Sequence, residues 1–203
     1  MSFADFKDID FWQASRRKFL KILAMTSTVS LIDLFAPFKK MGFAKEGDIT
    51  PEEMRQKAIQ VFMKPNPFMC SQSTLAVGQE KLGIKDFEII RAIAPFGGGM
   101  GCTGDVCGAL VGALAVIGLR FGRIREEEKE DPRIWPYSME LVKRFREEIV
   151  PSHGGIHCRE ISGVDWKIRE QVVNYYKGEK VKECARIVGD TAKLTGEILE
   201  RQT

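Results

Sequence analysis

Residues 95–122 read PFGGGMGCTGDVCGALVGALAVIGLRFG, and this stretch decides the fold. A glycine run and two cysteines lead into a long apolar segment. Asp105 is a suitable N-cap and Gly122 a suitable left-handed stop, so the stretch predicts a helix over 106–121. Glycine and alanine recur along one side of that helix, where they allow other helices to approach closely. We therefore expect a compact helical domain around a central Gly/Ala-rich helix.

Cys107 lies at the predicted N-terminal end of the central helix. A helix N-terminus carries a partial positive charge, which favours a thiolate over a thiol. The alternative is a Gly/Ala-rich core helix that carries two buried cysteines without chemical function. The rest of the chain has to decide between these two interpretations.

The chain outside the central stretch also has helical patterning. Thr50, Pro51 and Glu53 form a helix start with a capping residue and an acid three positions later. No alternation with the period of a strand runs for long, so the sequence predicts an all-α fold. The further predicted helices cover residues 51–63, 69–81, 86–93, 134–149, 165–176 and 181–200.

The N-terminal residues have the pattern of an export signal. Residues 15–21 read SRRKFLK, and a short apolar region and a small-x-small motif ending at Ala44 follow. The paired Arg16 and Arg17 are typical of the twin-arginine (Tat) route. We therefore expect an N-terminal signal helix in an export signal over 1–44, and a periplasmic location or one on the outer face of the cytoplasmic membrane. The alternatives are an uncleaved anchor and an ordinary helix with a basic start.

The overall charge does not favour a nucleic-acid partner. The chain has 31 Lys and Arg against 28 Asp and Glu, but residues 1–44 hold seven of the basic and four of the acidic residues. The remaining domain, 45–203, is therefore balanced, with 24 residues of each sign. Without a basic excess we expect no nucleic-acid binding by this domain.

The five cysteines are spread along the chain. No CxxC pair occurs, which makes a zinc finger an unsuitable interpretation, and no CxxCH occurs, so we expect no covalent haem. Four of them lie at or near predicted helix starts, where free N–H groups stabilise thiolates and anionic clusters. Four thiolates from separate segments suit an iron–sulfur cluster. These four predicted ligands are Cys70, Cys107, Cys158 and Cys184.

At these residues the chain resembles the redox-active family named for its C_GCAxxG_C_C cysteine pattern. Residues 107–112, CGALVG, fit the CGAxxG signature of that family, and the other three predicted ligands fall where its further cysteines would lie. The resemblance covers roughly residues 51–199. It implies a redox-active helical domain built on four cysteines, here residues 45–203.

The same module is similar to the cluster-bearing part of split-Soret cytochrome c. That similarity implies an iron–sulfur cluster, for which we favour the 2Fe–2S type, but direct haem attachment is not implied because CxxCH is missing. Cys102 is additional to the four-cysteine pattern and is a spare ligand, a resolving thiol or a core residue. His153 and His157 flank a second glycine loop and are possible accessory ligands, although most histidines in loops are ordinary polar residues.

Three functions remain open at this point. The first is an exported electron-transfer protein with one cluster, which implies a redox partner protein and the Tat export machinery. The second is a thiol–disulfide redox protein that uses the same cysteines. The third is a structural or interaction domain stabilised by disulfides. No set of residues for bond-making catalysis is recognisable, and the small residues of the central helix suggest a homodimer.

Overall fold

The computed structural model describes residue 47 and residues 49–201. The export signal predicted over 1–44, with Arg16 and Arg17, lies outside the described residues. Within the described part the chain forms helices and no strand, which confirms the predicted all-α fold. No helix of this part is long and apolar enough to cross a membrane.

Eight α-helices and two short irregular helices make up the described part. A 3-10 turn, Ala94–Phe96, precedes the glycine run, and a π-helix, Phe145–Ile149, continues the fifth helix. The α-helices are α1 (Pro51–Phe62), α2 (Cys70–Lys81), α3 (Phe87–Ala92), α4 (Gly108–Phe121), α5 (Ile134–Arg144), α6 (Cys158–Ser162), α7 (Arg169–Lys177) and α8 (Lys180–Glu200).

The N-terminal cap of α1 has the predicted form, and Asp86 supplies a comparable cap for α3. The hydroxyl of Thr50 accepts from the N–H of Glu53 at 3.2 Å, and the carboxylate of Glu53 accepts from the N–H of Thr50 at 2.7 Å. Asp86 accepts from the N–H groups of Glu88 and Ile89 at the start of α3. Each cap satisfies N–H groups that have no partner inside the helix.

Helices α2 and α4 pack closely because small residues face each other. A Cβ atom added at Gly112 of α4 would collide with the carbonyl of Ser71, and one added at Gly78 of α2 would collide with Val116. This confirms the close approach expected for the central helix. The face is buried inside the domain, however, so it is not free to receive a second copy of the chain.

Helix α8 is a second central element that the sequence did not distinguish. It packs along α1, and its glycines make room for that helix. A Cβ atom at Gly189 would lie 2.7 Å from Ile59, and one at Gly196 would lie 2.6 Å from Met54. The domain is therefore built around α4 and α8 together.

The predicted start of the central helix is wrong, whereas its predicted end at Phe121 is confirmed. Helix α4 starts two residues later than predicted, with Cys107 and not Asp105 as its N-cap. The reason is that Val106 pairs with His157 as an isolated antiparallel bridge, which holds this segment extended. At the other end Gly122 has φ −70°, so it ends the helix without a left-handed conformation.

Candidate functional site

One cavity gathers all five cysteines. It has a volume of about 410 Å³ and lies between the α1–α2 connection, the glycine run and the segments from α6 to the start of α8. Aromatic and aliphatic side chains form most of its wall. The cysteines that line it are Cys70, Cys102, Cys107, Cys158 and Cys184. Five cysteines far apart in sequence therefore reach a common space.

Backbone pairing brings Cys107 and Cys158 together. The N–H of Cys107 donates to the carbonyl of Ile156 at 2.9 Å, and the N–H of Cys158 donates to the carbonyl of Asp105 at 2.7 Å. Both cysteines are buried. The short bridge thus joins the start of α4 to the start of α6 at the cavity.

Cys70 begins α2, and its sulfur lies against the start of α4. A Cβ atom at Gly108 would be 2.5 Å from this sulfur, so a glycine is required there. Burial raises the pKa of this thiol, and the nearby N–H groups of Gly98 and Ser71 lower it by a smaller amount. The second position of the CGAxxG signature therefore makes room for a cysteine from another helix.

Cys184 lies at the start of α8, although one residue beyond its first turn. It is the fifth residue of a helix that begins at Lys180. Burial raises the pKa of this thiol, and the nearby phenol of Tyr175 in α7 lowers it by a smaller amount. Its side chain nevertheless lines the cavity with the other cysteines.

A left-handed turn forms the part of the wall that carries Cys102. All five residues over 98–102 have positive φ, between 54° and 74°. Two of them, Met100 and Cys102, are not glycines, and such residues are disfavoured there by roughly 1–2 kcal/mol each. The guanidinium of Arg159 donates to the carbonyls of Thr103 (2.8 Å) and Gly104 (3.2 Å), which fixes the end of this turn.

Trp166 and Tyr175 are functional candidates that the sequence analysis missed. The indole N–H of Trp166 donates to the sulfur of Cys158 at 3.3 Å. The two rings pack edge to face, with their centroids 5.0 Å apart. A signal was present in the sequence, because a buried indole or phenol usually finds a hydrogen-bond partner. Sequence alone did not identify sulfur as that partner.

The two histidines do not join the cysteines. His153 is hydrogen-bonded through Nε2 to Glu183 at 2.8 Å, and His157 through Nδ1 to Glu160 at 3.1 Å. Neither belongs to the residues that line the cavity in the described part of the chain. Their observed contacts are with carboxylates and not with the thiols.

Four of the thiols that line the cavity have pKa values above that of an ordinary cysteine. Burial, and next the neighbouring Cys158, raise the pKa of Cys70 to about 11. Burial also raises the pKa of Cys184 to about 12 and the pKa values of Cys107 and Cys158. The expectation that helix starts favour thiolates is therefore wrong for the metal-free protein, because desolvation outweighs the N–H donors.

The donor set suits a group larger than one metal ion. All five cysteines are free thiols. In the described residues no three His, Cys, Asp or Glu side chains form a group able to hold a metal ion. A tetrahedral zinc site needs its sulfurs about 2.3 Å from one point, whereas these thiols surround a cavity. Soft sulfur ligands are the type that iron–sulfur clusters use.

A helical domain with its cysteines gathered at one cavity belongs to the class of cysteine-based redox proteins. Comparison with profiles of known families finds one match over residues 68–198, to the family described as "Putative redox-active protein (C_GCAxxG_C_C)". The chain belongs to this family, which confirms the resemblance predicted from the sequence. Comparisons with curated proteins and with solved structures find no match.

Proposed function

We propose that the protein is an exported electron carrier that holds one iron–sulfur cluster in the thiol-lined cavity. The proposed ligands are Cys70, Cys107, Cys158 and Cys184. The observation that carries the proposal is that these four cysteines, from four separate segments, line one cavity. When bound, the cluster supplies one-electron redox chemistry, for which we favour the 2Fe–2S type.

Hydrogen-bond donors around the sulfurs support this proposal. The indole N–H of Trp166 donates to the sulfur of Cys158 at 3.3 Å, and nearby backbone N–H groups lower the pKa values of Cys70 and Cys107, which burial raises. Such donors stabilise negative charge on ligating sulfur. The raised pKa values also imply that metal loading releases protons, since only the deprotonated thiols bind.

Cys102 differs from the proposed ligands. Its side chain is exposed, and it is carried by the left-handed turn and not by a helix start. These features favour a role outside the ligand set. An exposed thiol at the same cavity as two buried and two half-buried ones also keeps a thiol–disulfide function as the second candidate. The raised pKa of Cys107, however, makes that thiol a poor attacking group.

The location and partners of the protein follow from its proposed export. The twin-arginine motif supports transport of a folded domain, and hence insertion of the cluster before export. The destination is the periplasm or the outer face of the cytoplasmic membrane. We propose a redox protein as the partner and a homodimer as the assembly. Since the glycine face of α4 is buried, the dimer contact would have to use another surface.

Anaerobic purification followed by iron and acid-labile sulfide analysis tests the function. We expect about stoichiometric amounts of both, with a visible absorption band that bleaches on reduction. A colourless protein without iron after anaerobic reconstitution would overturn the cluster. Thiol counts with and without reductant would then separate a dithiol redox protein from a domain stabilised by disulfides.

A further inference from the structure

We propose that Trp166 and Tyr175 are positioning residues that raise the reduction potential of the cysteine site by donating hydrogen bonds to Cys158 and Cys184. This inference rests on the proposed function. It concerns side chains that lie outside the cysteine pattern of the family. Its basis is the contact of each aromatic donor with a sulfur at the cavity.

The contact of Trp166 is the better defined of the two. Its indole has a single N–H group, which is directed to the sulfur of Cys158 at 3.3 Å. Ser162 also lies near that sulfur, at 3.9 Å, but its hydroxyl donates to the carbonyl of Cys158 at 2.7 Å. The indole is therefore the side-chain donor that acts on this sulfur.

The turn that carries Trp166 is held in place by its neighbours. The N–H of Val164 donates to Ser162 at 3.2 Å, and the carboxylate of Asp165 accepts from the N–H of Lys167 at 3.0 Å. The N–H of Asp165 donates to Gln171 in α7 at 2.8 Å. These bonds link the turn to both α6 and α7, so the indole keeps its direction.

Tyr175 extends the same wall to a second sulfur. It is 5% exposed, its ring packs edge to face on Trp166, and its phenol lies close enough to Cys184 to lower the pKa of that thiol. A buried phenol without a hydrogen-bond partner costs free energy, so we expect this hydroxyl to stay close to Cys184. The two aromatic side chains therefore act as one unit on two sulfurs.

Reduction adds one electron to the site and changes no covalent bond of these residues. Part of the added negative charge resides on the ligating sulfurs, where a donor stabilises it more than in the oxidised state. Donors to Cys158 and Cys184 therefore favour the reduced state. Backbone N–H groups act on Cys70 and Cys107. Side-chain substitutions can therefore change the donors to Cys158 and Cys184 but not those to Cys70 and Cys107.

The test is an anaerobic redox titration of the cluster-loaded protein and its variants. Trp166→Phe and Tyr175→Phe remove one donor each and keep an aromatic ring. We expect both potentials to become more negative, with the largest shift in the double variant and unchanged iron content. The matched controls are Trp135→Phe, whose indole bonds to Glu130 at 2.8 Å on the surface, and Tyr137→Phe, whose ring packs on Phe121. Both controls should keep the wild-type potential.

Two results would overturn the inference. Unchanged potentials in iron-replete Trp166→Phe and Tyr175→Phe would show that the donors do not tune the site. Loss of iron from these variants alone would show that the residues hold the site together instead. Both results leave the proposed function standing, since it fails only if the wild-type protein itself holds no cluster.

Discussion

Gly108 lies directly against the thiol of Cys70. A Cβ atom at Gly108 would be 2.5 Å from the sulfur and 2.7 Å from the carbonyl oxygen of Phe96. Neither neighbour is the far end of a flexible side chain, so the backbone would have to move. The glycine of the CGAxxG signature is thus part of the cavity as well as of helix α4.

This contact predicts opposite effects for two glycines of one helix. Gly108→Ala should lower the free energy of unfolding by roughly 1–3 kcal/mol, as overpacking does in a close-packed core. Gly118→Ala should raise it by about 0.5–1 kcal/mol, because nothing lies within 4 Å and alanine favours the helix. Urea unfolding of the metal-free variants measures both. Equal effects of the two substitutions would contradict the close contact.

The left-handed turn predicts a gain in stability at Cys102. This residue has φ +61°, which glycine adopts without steric cost. Cys102→Gly should therefore stabilise the metal-free domain by about 1 kcal/mol. Cys102→Ser serves as the control, because it removes the thiol and keeps the strained backbone. A glycine variant no more stable than the serine variant in urea unfolding would show that the turn is not strained.

The buried thiols predict a loss of stability at alkaline pH. The pKa of Cys70 is about 11 and that of Cys184 about 12 in the folded metal-free protein, whereas unfolded cysteines ionise near pH 8.5. Their contribution is complete below the pKa of the unfolded chain and is lost as the pH rises toward the folded pKa values. We expect a loss of about 2 kcal/mol per thiol between pH 7.5 and 10.

Urea unfolding with chelator and reductant at these two pH values measures the loss. The double variant Cys70→Ser, Cys184→Ser should lose less stability over the same interval, which separates the thiols from titrating lysines and tyrosines. Cys102→Ser, at the exposed cysteine, should behave like the wild type. An identical pH dependence of the double variant and the wild type would contradict the assigned burial of these thiols.

Local signals were sufficient to predict most of the helices. The caps at Thr50 and Asp86 satisfy the nearest N–H groups of their own helices, so a short sequence window contains the whole interaction. The close approach at Gly112 follows similarly from small residues at helical spacing. The gathering of the cysteines was predicted from their common position near helix starts, and the cavity agrees with it. Their role as ligands stays a prediction.

Contacts between distant segments explain what the sequence did not predict. Helix α4 starts late because Val106 pairs with His157, which is 51 positions away in the chain. The donation from Trp166 to Cys158 depends on the turn between α6 and α7, and no periodicity encodes it. Positive φ at Cys102 was also unpredictable, since that conformation is usually a property of glycine.

Export is predicted to depend on the paired arginines outside the described residues. Replacement of Arg16 and Arg17 together by lysine should retain the precursor in the cytoplasm, because the twin-arginine route reads this pair. Immunoblots of cytoplasmic and periplasmic fractions measure the distribution. Lys39→Arg, at a basic residue outside the motif, is the control and should leave export unchanged. Normal export of the double lysine variant would contradict the signal.

The cluster hypothesis is tested most directly by the iron content of five single Cys→Ser variants after anaerobic reconstitution. We predict a large loss of iron and sulfide for four of them, at Cys70, Cys107, Cys158 and Cys184, and near wild-type content for Cys102→Ser. The four proposed ligands should act together, since loss of any one would leave the cluster incompletely coordinated. Equal retention of iron in all five variants, or equal loss from all five, would contradict this assignment.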